Sequence, residues 1–212
     1  MDLILPEIQD YAEKFSSPED DLLREINAYT HEHHPESQML SGHLQGKLLE
    51  MISRMIRPAR ILEIGTFTGY SALCLAKGLS QDGRLHTIEL READATRARA
   101  YFDRSEFASR ITQHTGNALS IIPTLNETWD LVFIDADKSG YIDYFNLVLP
   151  KVSQNGFILA DNIFFHGDVL AGDVKGKNGK AIQAFNEMIR GRTDIDKMII
   201  TLRDGLYLIR KL

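Results

Sequence analysis

Residues 60–79 read RILEIGTFTGYSALCLAKGL, and this stretch decides the fold class. A short apolar run, RILEI, leads into a turn with glycines at positions 65 and 69, and a helical apolar pattern follows. A strand that passes through a glycine turn into a helix is the first half of a β-α-β unit. Gly65 would let the backbone pass close to a ligand, and Gly69 would stand at the start of the helix. This pair is typical of nucleotide-binding turns, although it lacks the G-x-G-x-x-G spacing of dinucleotide sites.

The same alternation continues along the chain. Parallel strands need crossover connections, so alternating strands and helices predict a parallel sheet with helices on both faces. The further strands are expected at 84–90, 110–115, 130–136 and 156–161, and the helices between and after them at 91–104, 118–125, 141–152 and 180–190.

The last two apolar runs, KMIITL and LYLIRKL, are joined by Arg203-Asp204-Gly205. So short a connection makes a hairpin, which predicts one antiparallel strand.

The first 57 residues are predicted to be helical. Residues 3–34 read as two amphipathic helices, and residues 42–56 as a third. The second helix is predicted to have Ser17 as its N-cap, Pro18 at its first position and Asp20 in its first turn. The 212-residue chain is expected to form one domain, with a helical segment at 1–57 and an α/β core at 58–212.

Composition excludes several classes of function. A formal net charge of -6 argues against nonspecific binding to a phosphate backbone, although a structured RNA substrate stays open. No apolar run reaches about 18 residues. The acidic start, MDLILPEIQDYAEKF, is unlike a secretion signal, so a cytoplasmic protein without membrane contact is expected.

In open sheets of this class, ligands bind beyond the carboxyl ends of the strands. Glu89 lies at such an end, 24 positions after Gly65. A carboxylate has two acceptor oxygens, which suits the two hydroxyls of a ribose. The alternative is that Glu89 is simply solvated.

Two neighbouring strand ends carry further polar groups, Asp135 in FIDADK and Asp161-Asn162 in LADN. Oxygen donors of this kind suit a hard divalent cation such as magnesium, manganese or calcium. The alternative is that Asp135 pairs with Lys138 and that Asp161 caps the following loop.

Five motifs together resemble a known family: ILEIGTFTGYSA, HTIEL, TGNAL, FIDADK and LADNIFFHG. The chain resembles the cation-dependent class I S-adenosylmethionine O-methyltransferases, which include catechol and caffeoyl-CoA O-methyltransferases and bacterial relatives. The resemblance runs from about Pro6 to the C-terminus. It implies a Rossmann-like methyltransferase fold with a seven-stranded sheet whose last strand is antiparallel.

The resemblance also implies site residues. The cofactor S-adenosylmethionine is expected to contact Met39, Ser41, Glu63, Gly65, Thr66, Ser71, Glu89, Ala118, Asp135 and Asp137. The implied metal ligands are Asp135, Asp161 and Asn162, and Lys138 matches the general base, with Asp135 beside it. A metal-bound diol is more acidic, so metal and lysine are expected to share the deprotonation.

The acceptor is less well specified. Phe164 and Phe165 stand where plant members have a leucine and a tryptophan, and His166 follows them. These three are candidates for clamping a planar ring, and the alternative is that the aromatic side chains pack on their own domain. The glycine- and lysine-rich segment 171–180 is expected to be a loop near the mouth of the site.

Two acceptors stay open within the family, a small catechol-like diol and the hydroxylated wobble uridine of a tRNA. Outside it stand a noncatalytic cofactor-binding protein and an NAD-dependent reductase. A homodimer is expected by analogy with relatives.

Overall fold

The computed structural model describes residues 4–212, and a mixed β-sheet forms its centre. The strands are β1 Arg60–Ile64, β2 Arg84–Glu89, β3 Ile111–Thr115, β4 Trp129–Ile134, β5 Val152–Asp161, β6 Ile195–Ile200 and β7 Leu206–Lys211. Their order across the sheet is β3-β2-β1-β4-β5-β7-β6. The chain direction of β7 is opposite to that of the other six strands, so β7 pairs antiparallel with both β5 and β6. The predicted seven-stranded sheet with one antiparallel C-terminal strand is confirmed.

Helices cover both faces of this sheet. They are α1 Pro6–Phe15, α2 Asp21–His33, α3 Gly42–Ile56, α4 Tyr70–Ala76, α5 Glu92–Phe102, α6 Ala118–Ile121, α7 Tyr141–Val148 and α8 Lys177–Gly191. The bounds of α3 agree with the prediction. The predicted start of the first helix, at residue 3, lies outside the described residues. None of the helices between residues 4 and 212 is long and apolar enough to cross a membrane.

The start of α2 differs from the prediction. Asp20, not Ser17, is the N-cap, and its carboxylate accepts a hydrogen bond from the Leu23 amide at 2.9 Å. Lys77, the C-cap of α4, binds the other oxygen of Asp20 at 2.8 Å. The ion pair adds a tertiary contact to a local cap, which is why the helix begins three residues later than the Ser-Pro signal indicates.

Strand β5 begins at Val152 instead of residue 156. Its pairing with β4 shifts register between Trp129 and Leu131, and Asn155 has a positive φ of 63°. A bulge lets the turn-forming pair Asn155-Gly156 lie inside a strand. Similarly, α8 begins at Lys177, so the last four residues of the predicted 171–180 loop are helical.

Alternate residues of each central strand enter two separate apolar layers. Leu62 and Ile64 of β1 face the layer of α6, α7 and α8, whereas Ile61 faces that of α2 to α5. This is the period of two expected for a strand that is buried on both faces. Trp129, Tyr141, Phe145 and Phe185 are the largest fully buried side chains of the first layer.

The register of the sheet brings four strand ends together. Ile64 is paired with Ile88 and with Ile134, and Ile134 with Ala160. The residues that follow these positions therefore lie side by side at one edge of the sheet: Gly65, Glu89, Asp135 and Asp161. The polar groups that the sequence places at strand ends share one surface.

The packing of α3 on α4 predicts the effect of a methyl group at Gly78. A Cβ there would lie 2.1 Å from the Ser53 carbonyl carbon and 2.4 Å from the Arg54 nitrogen. We expect Gly78→Ala to lower the free energy of unfolding by about 2 kcal/mol or more, since backbone atoms of α3 must move. Urea unfolding followed by the fluorescence of Trp129 measures this.

Gly191→Ala is the matched control, because no atom lies within 4 Å of a Cβ at that helix end. Its free energy of unfolding should stay within about 0.5 kcal/mol of the wild type. Equal losses in the two variants would contradict the close packing of α3 and α4.

Candidate active site

A cavity of about 520 Å³ opens at this edge of the sheet. Its floor is formed by the strand ends and the turns after them, and its walls come from the segment before α3 and from the β6–β7 turn. Most of the predicted site residues line it: Met39, Ser41, Gly65, Thr66, Ser71, Glu89, Ala118, Asp135, Asp137, Lys138, Asp161, Asn162, Phe165 and His166.

Gly65 makes the closest approach between two strand ends. Its φ is 100°, and a Cβ would lie 1.9 Å from the Asp135 carbonyl oxygen. Only glycine combines this backbone conformation with this contact. The glycine turn after β1 and the FIDADK turn after β4 therefore touch.

Glu89 is held at the edge of the cavity by backbone amides. One carboxylate oxygen accepts from the Phe67 amide at 2.7 Å, and the other accepts from the Arg91 amide at 2.9 Å. The Arg91 guanidinium lies 5.5 Å from the centre of the Phe67 ring. The side chain is 6% exposed, so its orientation is fixed while each oxygen keeps a free lone pair.

Glu63 does not line the cavity, in contrast to the direct cofactor contact implied by the resemblance. It is fully buried and accepts hydrogen bonds from the hydroxyls of Ser71, at 2.7 Å, and Thr87, at 2.5 Å. Burial raises the pKa of Glu63 to about 8, the two hydroxyls oppose this shift, and the charges of Asp135 and Glu89 add to it. Glu63 thus orients Ser71, which does face the cavity.

The opposite end of the cavity is built around Lys138. Its ammonium lies 3.0 Å from the Asp135 Oδ1, 2.7 Å from the Asn162 Oδ1 and 2.7 Å from the Tyr141 hydroxyl. Two of the predicted metal ligands therefore converge on one positive charge. We refer to Asp135, Lys138, Asp161 and Asn162 as the acidic end of the cavity.

Asp161 completes this end. One carboxylate oxygen accepts from the Asn162 amide at 2.8 Å, and the other from the Gln45 side-chain amide. Burial raises the pKa of Asp161 to about 6, Asp135 adds to the shift, and Lys138 opposes it. The carboxylate is therefore held where a further positive charge would stabilise it.

The alternative to a metal site was that Asp135 pairs with Lys138 and that Asp161 caps the following loop. Both contacts are present, because Asp135 forms an ion pair with Lys138 and Asp161 accepts from the next backbone amide. They do not account for Asn162, whose oxygen meets the same ammonium. Across residues 4–212, no group of three or more histidine, cysteine, aspartate or glutamate side chains could hold a metal. The set of two carboxylates and one amide oxygen fits a hard cation by its chemistry.

Comparison with known proteins decides the family. The family model described as O-methyltransferase matches residues 13–212. The chain belongs to the O-methyltransferase family. A catechol O-methyltransferase of Niastella koreensis is 34% identical over 162 residues, which covers 74% of this chain and 73% of that protein. A caffeoyl-CoA O-methyltransferase of Stellaria longipes is 26% identical over 204 residues, 91% of this chain and 84% of that one.

A solved structure agrees. The O-methyltransferase TomG of Streptomyces achromogenes, in complex with SAM, has a TM-score of 0.89 and 32% identity, and the match covers 97% of this chain and 96% of TomG. The family resemblance of the sequence motifs is thus confirmed, and the protein is an O-methyltransferase.

Some residues of this O-methyltransferase site escaped the sequence analysis. The Tyr141 hydroxyl accepts from Lys138 and donates to the Asp161 carbonyl oxygen at 2.9 Å. Burial raises the pKa of Tyr141 well above its usual range, which keeps the hydroxyl protonated. The three-residue spacing from Lys138 is the signal that could have revealed it. Gln45 and Arg203 carry no such local signal.

The three residues proposed for the acceptor separate in the structure. Phe165 and His166 line the cavity, both with positive φ, whereas Phe164 packs its ring on Gly205. The Asp204 carboxylate accepts from the His166 amide at 2.7 Å and thereby holds this turn against the β6–β7 hairpin. Phe164 therefore stabilises the turn and lies outside the cavity wall.

The pKa of Glu63 predicts how stability depends on pH. An unfolded glutamate ionises near 4.5, whereas Glu63 in the folded protein keeps its proton to about pH 8. Its contribution to stability is complete below about pH 4.5 and is lost as the pH rises to 8. The slope reaches about 1.4 kcal/mol per pH unit. The stability of the wild type relative to Glu63→Gln should therefore fall between pH 5 and 8.

Urea unfolding of both proteins at several pH values measures this difference. Glu187→Gln is the control, because Glu187 is an exposed residue paired with Arg190. If the free energies of unfolding of the wild type and of Glu63→Gln change with pH by the same amount, the raised pKa of Glu63 is contradicted.

Proposed function

We propose that this O-methyltransferase transfers the methyl group of S-adenosylmethionine to one hydroxyl of a vicinal diol on a small catechol- or phenylpropanoid-like acceptor, with the help of a divalent cation. The observation that carries the proposal is the arrangement of the cavity. Glu89, at the end of β2, lies on one side of the glycine turn, and Lys138, which follows β4, lies among three oxygen atoms on the other side.

The donor half of the cavity contains the polar groups that a nucleoside with an amino-acid tail requires. Glu89 would accept hydrogen bonds from the ribose hydroxyls, and Ala118 would pack near the adenine. Gly65, Thr66 and Ser71 would surround the methionine part, with Met39 and Ser41 above it. Asp137, which is fixed by the Tyr144 hydroxyl, would add a contact at the adenine side.

Asp135, Asp161 and Asn162 would hold the cation. We propose magnesium, and manganese and calcium are the alternatives that also bind oxygen ligands. When bound there, the cation lowers the pKa of a coordinated hydroxyl of the acceptor.

A bound cation would repel the ammonium charge and favour the neutral amine of Lys138, whose Nζ lone pair would then take the proton of that hydroxyl. The ammonium so formed has its partners already in place, since oxygens of Asp135, Asn162 and Tyr141 surround the Nζ. The Tyr141 ring, 4.8 Å from the Nζ, adds a cation–π contact. With the oxygen deprotonated and the donor fixed, positioning can contribute about 7 to 11 kcal/mol to the transfer.

A small acceptor is favoured over a tRNA. The net charge of -6 does not attract a phosphate backbone. The relative that is 34% identical is named a catechol O-methyltransferase. Phe165 and His166 would contact the ring of the acceptor at the mouth of the cavity.

Substitution of Lys138 tests its role. We expect Lys138→Ala to lower kcat by about 10²- to 10⁴-fold, because the variant lacks the group that is proposed to take the proton of the acceptor. The Kd of S-adenosylhomocysteine should change by less than about threefold, since Lys138 is outside the donor half. Lys180→Ala, an exposed lysine of α8, is the control and should leave both values unchanged. A Lys138→Ala variant with full kcat would refute the assignment.

Removal of the metal tests the cation. Turnover of a diphenol should stop in excess EDTA and return with magnesium, because the hydroxyl then loses the charge that lowers its pKa. The assay follows label from S-adenosylmethionine into catechol, caffeoyl-CoA and tRNA lacking the wobble methyl group. If only the tRNA becomes labelled, the acceptor is a tRNA and the proposal of a small diol is wrong. Full turnover in excess EDTA would exclude a role of the cation in catalysis.

A further inference from the structure

Arg203 reaches across the mouth of the cavity from the turn between β6 and β7. It has a positive φ of 48° and lines the cavity together with residues 38–41. We call Gln38–Ser41 the closing segment, because it lies above the donor half and leads into α3. Neither the glycine turn nor the acidic end contains Arg203.

The guanidinium of Arg203 is bonded to backbone carbonyls of the closing segment. One terminal nitrogen donates to the Leu40 oxygen at 2.8 Å and to the Ser41 oxygen, and the other lies 3.5 Å from the Gln38 oxygen. A terminal guanidinium nitrogen carries two N–H groups, so this nitrogen, Nη1, can serve the Leu40 and Ser41 carbonyls together, while Nη2 is directed at Gln38. Arg203 therefore fixes the backbone that carries Met39 and Ser41.

A second path leads from Arg203 to the acidic end. The Gln45 side-chain oxygen lies 3.3 Å from the same Nη1 and shares its two N–H groups with the Leu40 and Ser41 carbonyls. The Gln45 nitrogen donates to the Asp161 carboxylate. Gln45 is 2% exposed, so water does not compete for these bonds. One buried amide thus joins the closing segment, through Arg203, to a proposed metal ligand.

We propose that Arg203 is a positioning residue that holds the closing segment over the donor, and that Gln45 couples this clamp to Asp161. The inference rests on the proposed function, because the donor is taken to be S-adenosylmethionine. A segment that is ordered before binding loses less conformational entropy when the ligand arrives. Arg203 thereby raises donor affinity without touching the reacting atoms.

The backbone at position 203 allows a clean substitution. Asparagine tolerates the left-handed region better than most residues, and it is too short to reach the closing segment. Arg203→Asn therefore removes the clamp and keeps the turn. Arg203→Lys keeps the charge and much of the length. Arg210→Asn is the matched control, since Arg210 lies on β7 and donates to Asp196 far from the cavity wall.

Binding of S-adenosylhomocysteine by calorimetry is the main measurement. Arg203→Asn should raise the Kd about tenfold, which is equivalent to about 1.4 kcal/mol of binding free energy. The Kd of Arg203→Lys should lie between those of Arg203→Asn and the wild type. The KM for S-adenosylmethionine should rise in step, while kcat at saturating donor stays within about threefold. Hydrogen exchange of peptides covering residues 37–41 should become faster in the unliganded Arg203→Asn variant and stay unchanged in Arg210→Asn.

A double-mutant cycle tests the coupling through Gln45. If the amide joins the clamp to Asp161, the loss of affinity in Arg203→Asn combined with Gln45→Met will be smaller than the product of the two single losses. Independent, multiplicative losses would exclude the coupling.

Two outcomes separate this inference from the proposed function. If the wild type and Arg203→Asn bind S-adenosylhomocysteine equally well, and hydrogen exchange of the closing segment is the same in both, only the positioning role of Arg203 is overturned. A wild type that does not bind S-adenosylhomocysteine overturns the proposed function, and the inference with it.

Discussion

The site depends on the contact between the backbone at Gly65 and the carbonyl oxygen of Asp135, where no Cβ fits. The close approach brings the turn after β1 against the end of β4, and the in-register pairing of β1, β2, β4 and β5 aligns the remaining strand ends. A methyl donor and its acceptor must meet with the reacting atoms about 3 Å apart. A sheet edge this closely packed can hold both ligands in fixed relation.

Several acidic side chains lie at this edge of the sheet, and each has different hydrogen-bond or ion-pair partners. Hydroxyls of Ser71 and Thr87 surround Glu63, backbone amides hold Glu89, and Lys138 lies between Asp135 and Asn162. Burial of carboxylates disfavours their charged forms unless hydrogen bonds or cations compensate. Among the carboxylates that line the cavity, Asp161 has a raised pKa because its burial is not fully compensated, and a positive charge placed beside it would stabilise its charged form.

Most secondary structure could be predicted from the sequence because it follows local rules. Strand alternation, the bounds of α3 and the hairpin at Asp204-Gly205 depend on periodicity and turn chemistry within a few residues. The predictions failed where a distant partner intervened. Asp20 is the N-cap of α2, with Lys77, the C-cap of α4, on its other oxygen, and the bulge opposite β4 extends β5 back past Asn155-Gly156 to Val152.

The sequence by itself determined the fold class, the family resemblance and the strand ends that carry polar groups, since these are properties of short segments read in order. The tertiary structure decided which side chains reach the cavity. Glu63 stands behind Ser71, Phe164 turns onto Gly205, and Arg203 meets Leu40 across 163 positions of sequence. Such contacts depend on how packed layers place distant segments, and no local pattern of residues encodes that placement.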